Sequence, residues 1–285
     1  MKIYPVEAGN FKLDGGAMFG VVPKTIWQKT NPADSNNLID IAARSMLIEK
    51  EEKLILIDTG MGTKQSDKFF SYYNRWGGFS LEKSINDLGF GVSDVTDVFL
   101  THLHFDHVGG ATYRKKDNSI ETLFPLATYW TNRSHWEWAT EPNEREKASF
   151  LTENLIPILE SGQLDFVNIS DNSKVENKQL PFAIHCMDGH TEKQMLPSVK
   201  YQGKTLVFMA DLLPTAGHIP LPYVMGYDTR PLQTLQEKKE FLNAAATNNW
   251  YLFLEHDAHN QVITVKHTEK GVRLHNTYSF NELFN

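Results

Sequence analysis

Within the stretch Thr101-His102-Leu103-His104-Phe105-Asp106-His107-Val108-Gly109-Gly110 the chain gathers three histidines and an aspartate. Imidazole nitrogen and carboxylate oxygen are donors suited to Zn, Mn or Fe. Four of them exceed what one catalytic zinc ion usually draws from a single short segment, so the pattern predicts two adjacent metal ions. The apolar run Val98-Phe99-Leu100 comes just before. A strand over 97–100 sends alternate side chains to one face, so His102, His104 and Asp106 converge if the strand passes into a loop. His107 is then reached where the chain turns at Gly109-Gly110.

One short segment cannot complete two coordination shells, and the rest of the chain offers further donors, each behind a strand-like run. Asp188-Gly189-His190-Thr191 follows Phe182 to Met187. Asp211 closes the apolar run Thr205 to Ala210, and His256 closes Trp250 to Glu255. Side chains placed at the ends of several strands can meet at one edge of a sheet.

This ordered set resembles the metallo-β-lactamase superfamily, from the hairpin near Ser45 to His256. The resemblance implies an α/β fold, an αββα sandwich, with residues 1–285 as a single domain. It also implies that His102, His104 and His190 hold one divalent ion and Asp106, His107 and His256 a second, with Asp211 bridging both and zinc the expected metal. Leu54-Ile55-Leu56-Ile57-Asp58-Thr59-Gly60 matches the family's early strand ending in Asp-x-Gly, where Asp58 would support the ligands; taken alone, a cap or turn residue is the lesser reading of Asp58.

A metal pair can hold a hydroxide while polarising the group it attacks, so the implied chemistry is hydrolysis. Asp14-Gly15-Gly16-Ala17-Met18-Phe19-Gly20 and Asp211-Leu212-Leu213-Pro214-Thr215 look like the branch holding N-acyl-homoserine lactone lactonases and methyl-parathion-type hydrolases. The reading is therefore quorum-quenching opening of an acyl lactone, with Asp106 and Asp211 catalytic and Asp106 carrying a proton to the departing alkoxide. Organophosphate or aryl-ester hydrolysis is the alternative, and a redox or non-catalytic binding member of the fold a third reading. The branch carries tyrosine three positions after the bridging aspartate, where this chain has Pro214. His218, the third catalytic candidate, or Tyr223 is available as a replacement, although either also reads as an ordinary packing residue.

Composition bounds the rest. A chain of 285 residues has length for a sizeable α/β core. A net charge of −7 with no basic cluster counts against nucleic acid, and Lys115-Lys116 and Lys238-Lys239 read as solvated pairs. No apolar run approaches a membrane span, and the start MKIYPVEAGNFKLDGG has no apolar leader core, so a cytoplasmic enzyme is expected, a processed periplasmic form being the other option. The single cysteine, Cys186, allows no internal disulfide and reads as a small buried residue. A small acyl lactone or ester is the expected partner, and a homodimer is compatible with the chain.

Around these motifs the pattern predicts a hairpin from Ser45–Glu49 and Leu54–Asp58 and helices over Lys64–Tyr73 and Leu81–Leu88. A further helix should open at Thr234, where Thr234 and Glu237 have capping-box spacing. The aromatic, charged stretch 130–164 is a candidate lid or pocket wall, or else a peripheral helical pair. Gly15 to Gly20 reads as an apolar loop carrying Met18 and Phe19 to the pocket. With the aromatics between Trp130 and Trp138 they would wall an acyl-chain site.

Overall fold

From its start the chain runs β1 (Lys2–Asp14), α1 (Gly15–Phe19), α2 (Lys24–Trp27), β2 (Leu38–Lys50), β3 (Lys53–Ile57), α3 (Asp67–Ser71) and α4 (Leu81–Asp87). There follow β4 (Asp97–Phe99), α5 (Phe105–Val108), β5 (Thr112–Arg114), β6 (Ile120–Thr122), β7 (Thr128–Asn132), α6 (Arg133–Thr140), α7 (Thr152–Glu160) and β8 (Leu164–Val167). The remainder is β9 (Lys174–Glu176), β10 (Ala183–Met187), β11 (Gln194–Tyr201), β12 (Lys204–Phe208), α8 (Pro231–Asn248), β13 (Tyr251–Phe253), β14 (Val262–Thr268), β15 (Gly271–Tyr278) and α9 (Phe280–Phe284). These elements belong to a computed structural model that describes residues 1–169, 174–176 and 179–284. They fall into two units, Met1–Asn10 with Ala43–Asn172, and Phe11–Ala42 with Ser173–Asn285. Among the described residues no helix is long and apolar enough to cross a membrane.

The first unit is built on a sheet of order β1-β2-β3-β4-β7-β8. Leu54 to Ile57 are all buried, as a strand covered on both faces requires. β2 and β3 form the expected hairpin, Met46 opposite Ile57 and Lys50 opposite Lys53. β3, β4 and β7 are parallel neighbours, so Asp58, Thr101 and Asn132 all leave the sheet at one edge. That shared edge is why residues far apart in sequence can support one loop. Leu56, Val98, Leu100, Leu103 and Val108 join the same apolar core, each contributing about 1.5–3 kcal/mol by burial and anchoring the ligand stretch from within.

The second unit holds a sheet of order β15-β14-β13-β12-β11-β10-β9. β12 and β13 are parallel, with Val207 opposite Leu252, and the crossover between them contains α8. β11 is antiparallel to both β10 and β12, so the C-terminal ends of β10, β12 and β13 share one edge. His190, Asp211 and His256 stand just beyond those three ends.

Several local expectations are corrected. α3 begins at Asp67 because Ser66 caps it, accepting from Phe69 N at 3.2 Å, while Lys64 is drawn into the protein. α8 begins three residues before Thr234, with Pro231 in the first turn, where its missing N–H costs nothing. Thr234 is not its cap, and Glu237 accepts the N–H groups of Asp188 (2.9 Å) and Gly189 (3.0 Å). Lys238 is not solvated: it is 1% exposed, and its ammonium donates to the carbonyls of His218 (3.0 Å) and Tyr223 (2.8 Å). Gly15 to Phe19 is a helical turn, not a loop, capped by Asp14. Met18 and Phe19 are buried in the second unit, Phe19 stacked on Trp27 at 5.2 Å, so neither presents an open apolar wall.

Candidate metal centre

In the first unit, the loop after β4 carries four of the expected donors, and its surroundings fix their orientation. Asp58, left-handed at φ 55° and fully buried, accepts from Thr101 N at 2.8 Å and from the Thr101 hydroxyl at 2.6 Å. Its Oδ2 also lies 3.0 Å from His107 Nδ1. The Thr101 proton is committed to Asp58, so Thr101 Oγ1 is an acceptor for His102 Nδ1–H at 3.1 Å. One carboxylate thereby sets the ring orientation of His102 and His107 together, and the lone pair of each resides on Nε2.

His104 is oriented the other way round. Its Nε2 lies 3.3 Å from Glu146 Oε1, whose second oxygen accepts from Trp138 Nε1 at 2.7 Å and Asn143 Nδ2 at 2.6 Å. The lone pair of His104 is therefore on Nδ1, which stands 3.1 Å from His102 Nε2. Two imidazole lone pairs repel unless a cation lies between them. Their separation is close to the ~3.3 Å edge of a tetrahedral site with Zn–N bonds of about 2.0–2.1 Å. The donor chemistry and spacing therefore fit a bound metal ion. Between these two residues, Leu103 N donates to His135 Nε2 at 2.8 Å, and Phe105 N donates to Ser149 O at 2.9 Å.

Close backbone contact holds the far end of the loop. Thr59 donates to His107 O through both N (2.7 Å) and Oγ1 (2.8 Å), and Gly110 N donates to Gly60 O at 3.0 Å. At Gly109 a side chain would collide with the backbone of Met61, and at Gly62, whose φ is 68°, with the Gly109 carbonyl. Asp106 lies in the first turn of α5 and is buried. Its charge acts on the half-buried Tyr73, whose ring packs on Phe105 at 5.0 Å; burial first, and then Asp106, push the phenol up to about 12. Tyr73 therefore keeps its proton at neutral pH.

In the second unit, Asp211 occupies a 3-10 turn after β12, and its two oxygens face two histidines. Oδ2 lies 3.1 Å from His190 Nε2, and Oδ1 lies 3.0 Å from His256 Nε2. The opposite nitrogens are engaged elsewhere: His190 Nδ1 with Asp228 Oδ1 at 2.8 Å, and His256 Nδ1 with Ala42 O at 2.8 Å. Both rings therefore aim Nε2 at the carboxylate, as ligands flanking a bridging group would. Burial pulls the His190 imidazole down, but Asp211 and Asp228 together outweigh it and push it up to about 10. Without a metal, a proton thus takes a cation's place between His190 and Asp211.

His218 belongs to the same unit but is differently employed. It is 1% exposed, its Nε2–H donates to Met18 O at 2.9 Å, and its Nδ1 pairs with the Thr215 hydroxyl at 2.8 Å. The ring stacks on Phe19 with centroids 4.2 Å apart. Burial drives its pKa down to about 3, so the imidazole is neutral at pH 7. Pro214 precedes this turn, and Tyr223 lends it a backbone carbonyl, through Lys238. Cys186 is half-buried, and burial pushes its thiol up to about 12, which keeps it protonated.

Sequence reasoning missed Thr101, Glu146 and Asp228, which bond to the candidate donors His102, His104 and His190, and His135, which accepts from the Leu103 main chain between two of them. His135 and Glu146 lie in the stretch 130–164, where Trp130 is a β7 residue donating to Asp97 Oδ1 at 2.8 Å. An available signal was the concentration of polar residues beside aromatics there. Asp228 stands outside any strand-end pattern.

A family model described as the metallo-beta-lactamase superfamily matches residues 40–256. Among curated relatives, the N-acyl homoserine lactonase AiiB of Agrobacterium fabrum is 28% identical over 136 residues, 45% of this chain and 49% of that protein. The match thus spans about half the relative's length. Among solved structures, a probable metal-dependent hydrolase from Staphylococcus aureus superposes with a TM-score of 0.84 at 25% identity, covering 98% of each chain. AidC, a dizinc quorum-quenching lactonase solved with N-hexanoyl-L-homoserine as product, gives a TM-score of 0.77 at 22% identity, over 98% of this chain and 94% of that one.

Proposed function

The chain belongs to the metallo-β-lactamase superfamily and has its α/β fold, and on that footing we propose that it is a dinuclear metal-dependent hydrolase that opens N-acyl-homoserine lactones. In this reading His102, His104 and His190 hold one divalent ion, Asp106, His107 and His256 hold the other, and Asp211 lies between them. Within each unit the candidate donors are buried side by side, His102, His104 and His107 in the first and His190, Asp211 and His256 in the second, and this supports it. Zinc is the ion proposed, in line with the dizinc centre named for AidC.

One observation carries the reading. Each of the five candidate histidines has one ring nitrogen committed to an oxygen acceptor: Thr101 for His102, Glu146 for His104, Asp58 for His107, Asp228 for His190 and the Ala42 carbonyl for His256. That commitment is what a metal ligand needs, because it fixes the tautomer and raises the basicity of the other nitrogen. A merely structural cluster has no reason to repeat it five times.

When bound, two divalent ions supply Lewis acidity and a water of lowered pKa. The chain's own residues supply the rest. Asp211 orients His190 and His256, one through each of its oxygens. Asp106 moves a proton to the departing lactone oxygen, and the Tyr73 phenol, which keeps its proton and packs on Phe105 next to Asp106, is a hydrogen-bond donor beside it. His218, neutral and bonded through both ring nitrogens, positions the Thr215–Tyr223 turn and leaves proton transfer to Asp106.

The test is a substrate panel on zinc-loaded protein. N-hexanoyl-homoserine lactone should be opened with kcat/KM at least about tenfold above that for a phosphotriester and an aryl ester. The reverse ranking would move the assignment to organophosphate or ester hydrolysis.

A further inference from the structure

Lys64 is a lysine where burial alone would select an apolar residue. It is 6% exposed, and its ammonium donates to two main-chain carbonyls, those of Gly109 and of Thr112, the latter at 3.3 Å. Gly109 opens the 3-10 turn that continues α5, and α5 carries Asp106 and His107. The last carbonyls of a helix lack partners within it and carry partial negative charge, so a cation placed there both satisfies and attracts them. The chain provides that cation from a distant segment.

The same segment grips the ligand loop at its other end. Asp58, six positions before Lys64, accepts from Thr101 N and Oγ1 and from His107 Nδ1, and Thr59 holds the His107 carbonyl. Between them Gly60 O receives Gly110 N. Residues 58–64 thus form a clasp with a carboxylate at one end and an ammonium at the other, closed over residues 101–112. Its glycine-to-glycine contacts leave no room for the loop to slide. A shift at Gly109 is therefore transmitted to His107, two residues away.

We propose that Lys64 is a positioning residue, its ammonium clamping the end of the Asp106–His107 helix and so setting the affinity for the metal ion those two residues hold. The proposal rests on the dinuclear reading given above. Glu153 and Arg114 are the charged groups acting on the amine, with opposite effects, and burial outweighs both, lowering it to about 7.

Chelator competition on metal-depleted protein tests this, following each equivalent of cobalt by its absorption and zinc by displacement. Lys64→Met should bind the first equivalent with wild-type affinity and the second at least about tenfold more weakly. Ile85→Ala removes a core side chain of the same unit without touching the Lys64 ammonium or the carbonyls it holds; it should lower Tm while leaving both affinities within threefold of wild type. If Lys64→Met takes both equivalents as tightly as wild type, or loses both equally, the clamp is refuted. Should that variant not fold, 15N NMR of the wild-type lysine ammonium decides: its resonance should move with the second equivalent of metal, and a stationary signal would refute the clamp. Wild-type protein that binds no metal would instead bring down the parent reading.

Discussion

His190 Nδ1 stands 2.8 Å from Asp228 Oδ1, both groups buried, and this contact leaves Nε2 as the nitrogen of His190 that faces Asp211. A carboxylate can only accept here, so one ring proton stays on Nδ1, and it is Nε2, facing Asp211, that exposes a lone pair once it gives up its own proton. In Asp228→Asn an amide N–H can point at Nδ1 and favour the wrong tautomer. Metal affinity should fall by about 10- to 100-fold with little change in fold. Competition with a chromophoric chelator measures it, and wild-type affinity in this variant would deny Asp228 that role.

Metal uptake should release a proton at mildly alkaline pH. His190 is pushed up to about 10 in the metal-free protein, so at pH 8 it carries a proton that a ligating imidazole cannot keep. Binding then expels close to one proton, and affinity rises with pH by up to about tenfold per unit until the group titrates. For the metal-free fold the sign is the usual one for a raised histidine: its contribution is fully present below about 6.5 and is lost as pH rises through about 10. Calorimetry in buffers of different ionisation enthalpy counts the protons, and zero release at pH 8 would contradict the expectation.

His218 should matter for acid stability more than for turnover. Its pKa is driven down to about 3, so the unfolded chain binds a proton between about pH 6.5 and 3 that the folded chain does not. Stability is fully present above 6.5 and declines as pH falls toward 3, with a slope of about 1.4 kcal/mol per pH unit from this one group. His218→Gln should flatten that slope in urea unfolding series. With metal content matched, its kcat should stay within about tenfold of wild type, whereas Asp106→Asn should lose a hundredfold or more. A hundredfold loss in His218→Gln, roughly 2.7 kcal/mol of transition-state stabilisation, would make His218 a principal catalytic group.

What could be read in the sequence divides along physical lines. His102, His104, Asp106 and His107 were visible because one strand end concentrates them, and His190, Asp211 and His256 because each closes an apolar run that forms β10, β12 or β13. The β2–β3 hairpin showed in its apolar continuity. Supports were hidden, because Asp228 reaches His190, Glu146 reaches His104 and His135 reaches the Leu103 main chain only through tertiary packing, which spacing does not encode. Lys64 and Lys238 look like solvated lysines in any window. Only the fold reveals that each satisfies main-chain carbonyls inside the protein. Thr234 and Glu237 had the spacing of a cap, but Pro231 opens α8 a turn earlier and Glu237 is committed to the His190 loop.

The most direct test of the dinuclear hydrolase is a zinc titration of metal-depleted protein, with ring opening of N-hexanoyl-homoserine lactone followed by the acid it releases. Activity should be negligible without metal, climb with added zinc and level off at two equivalents per chain. Full activity without metal, a plateau at one equivalent, or no ring opening with both equivalents bound would contradict the account.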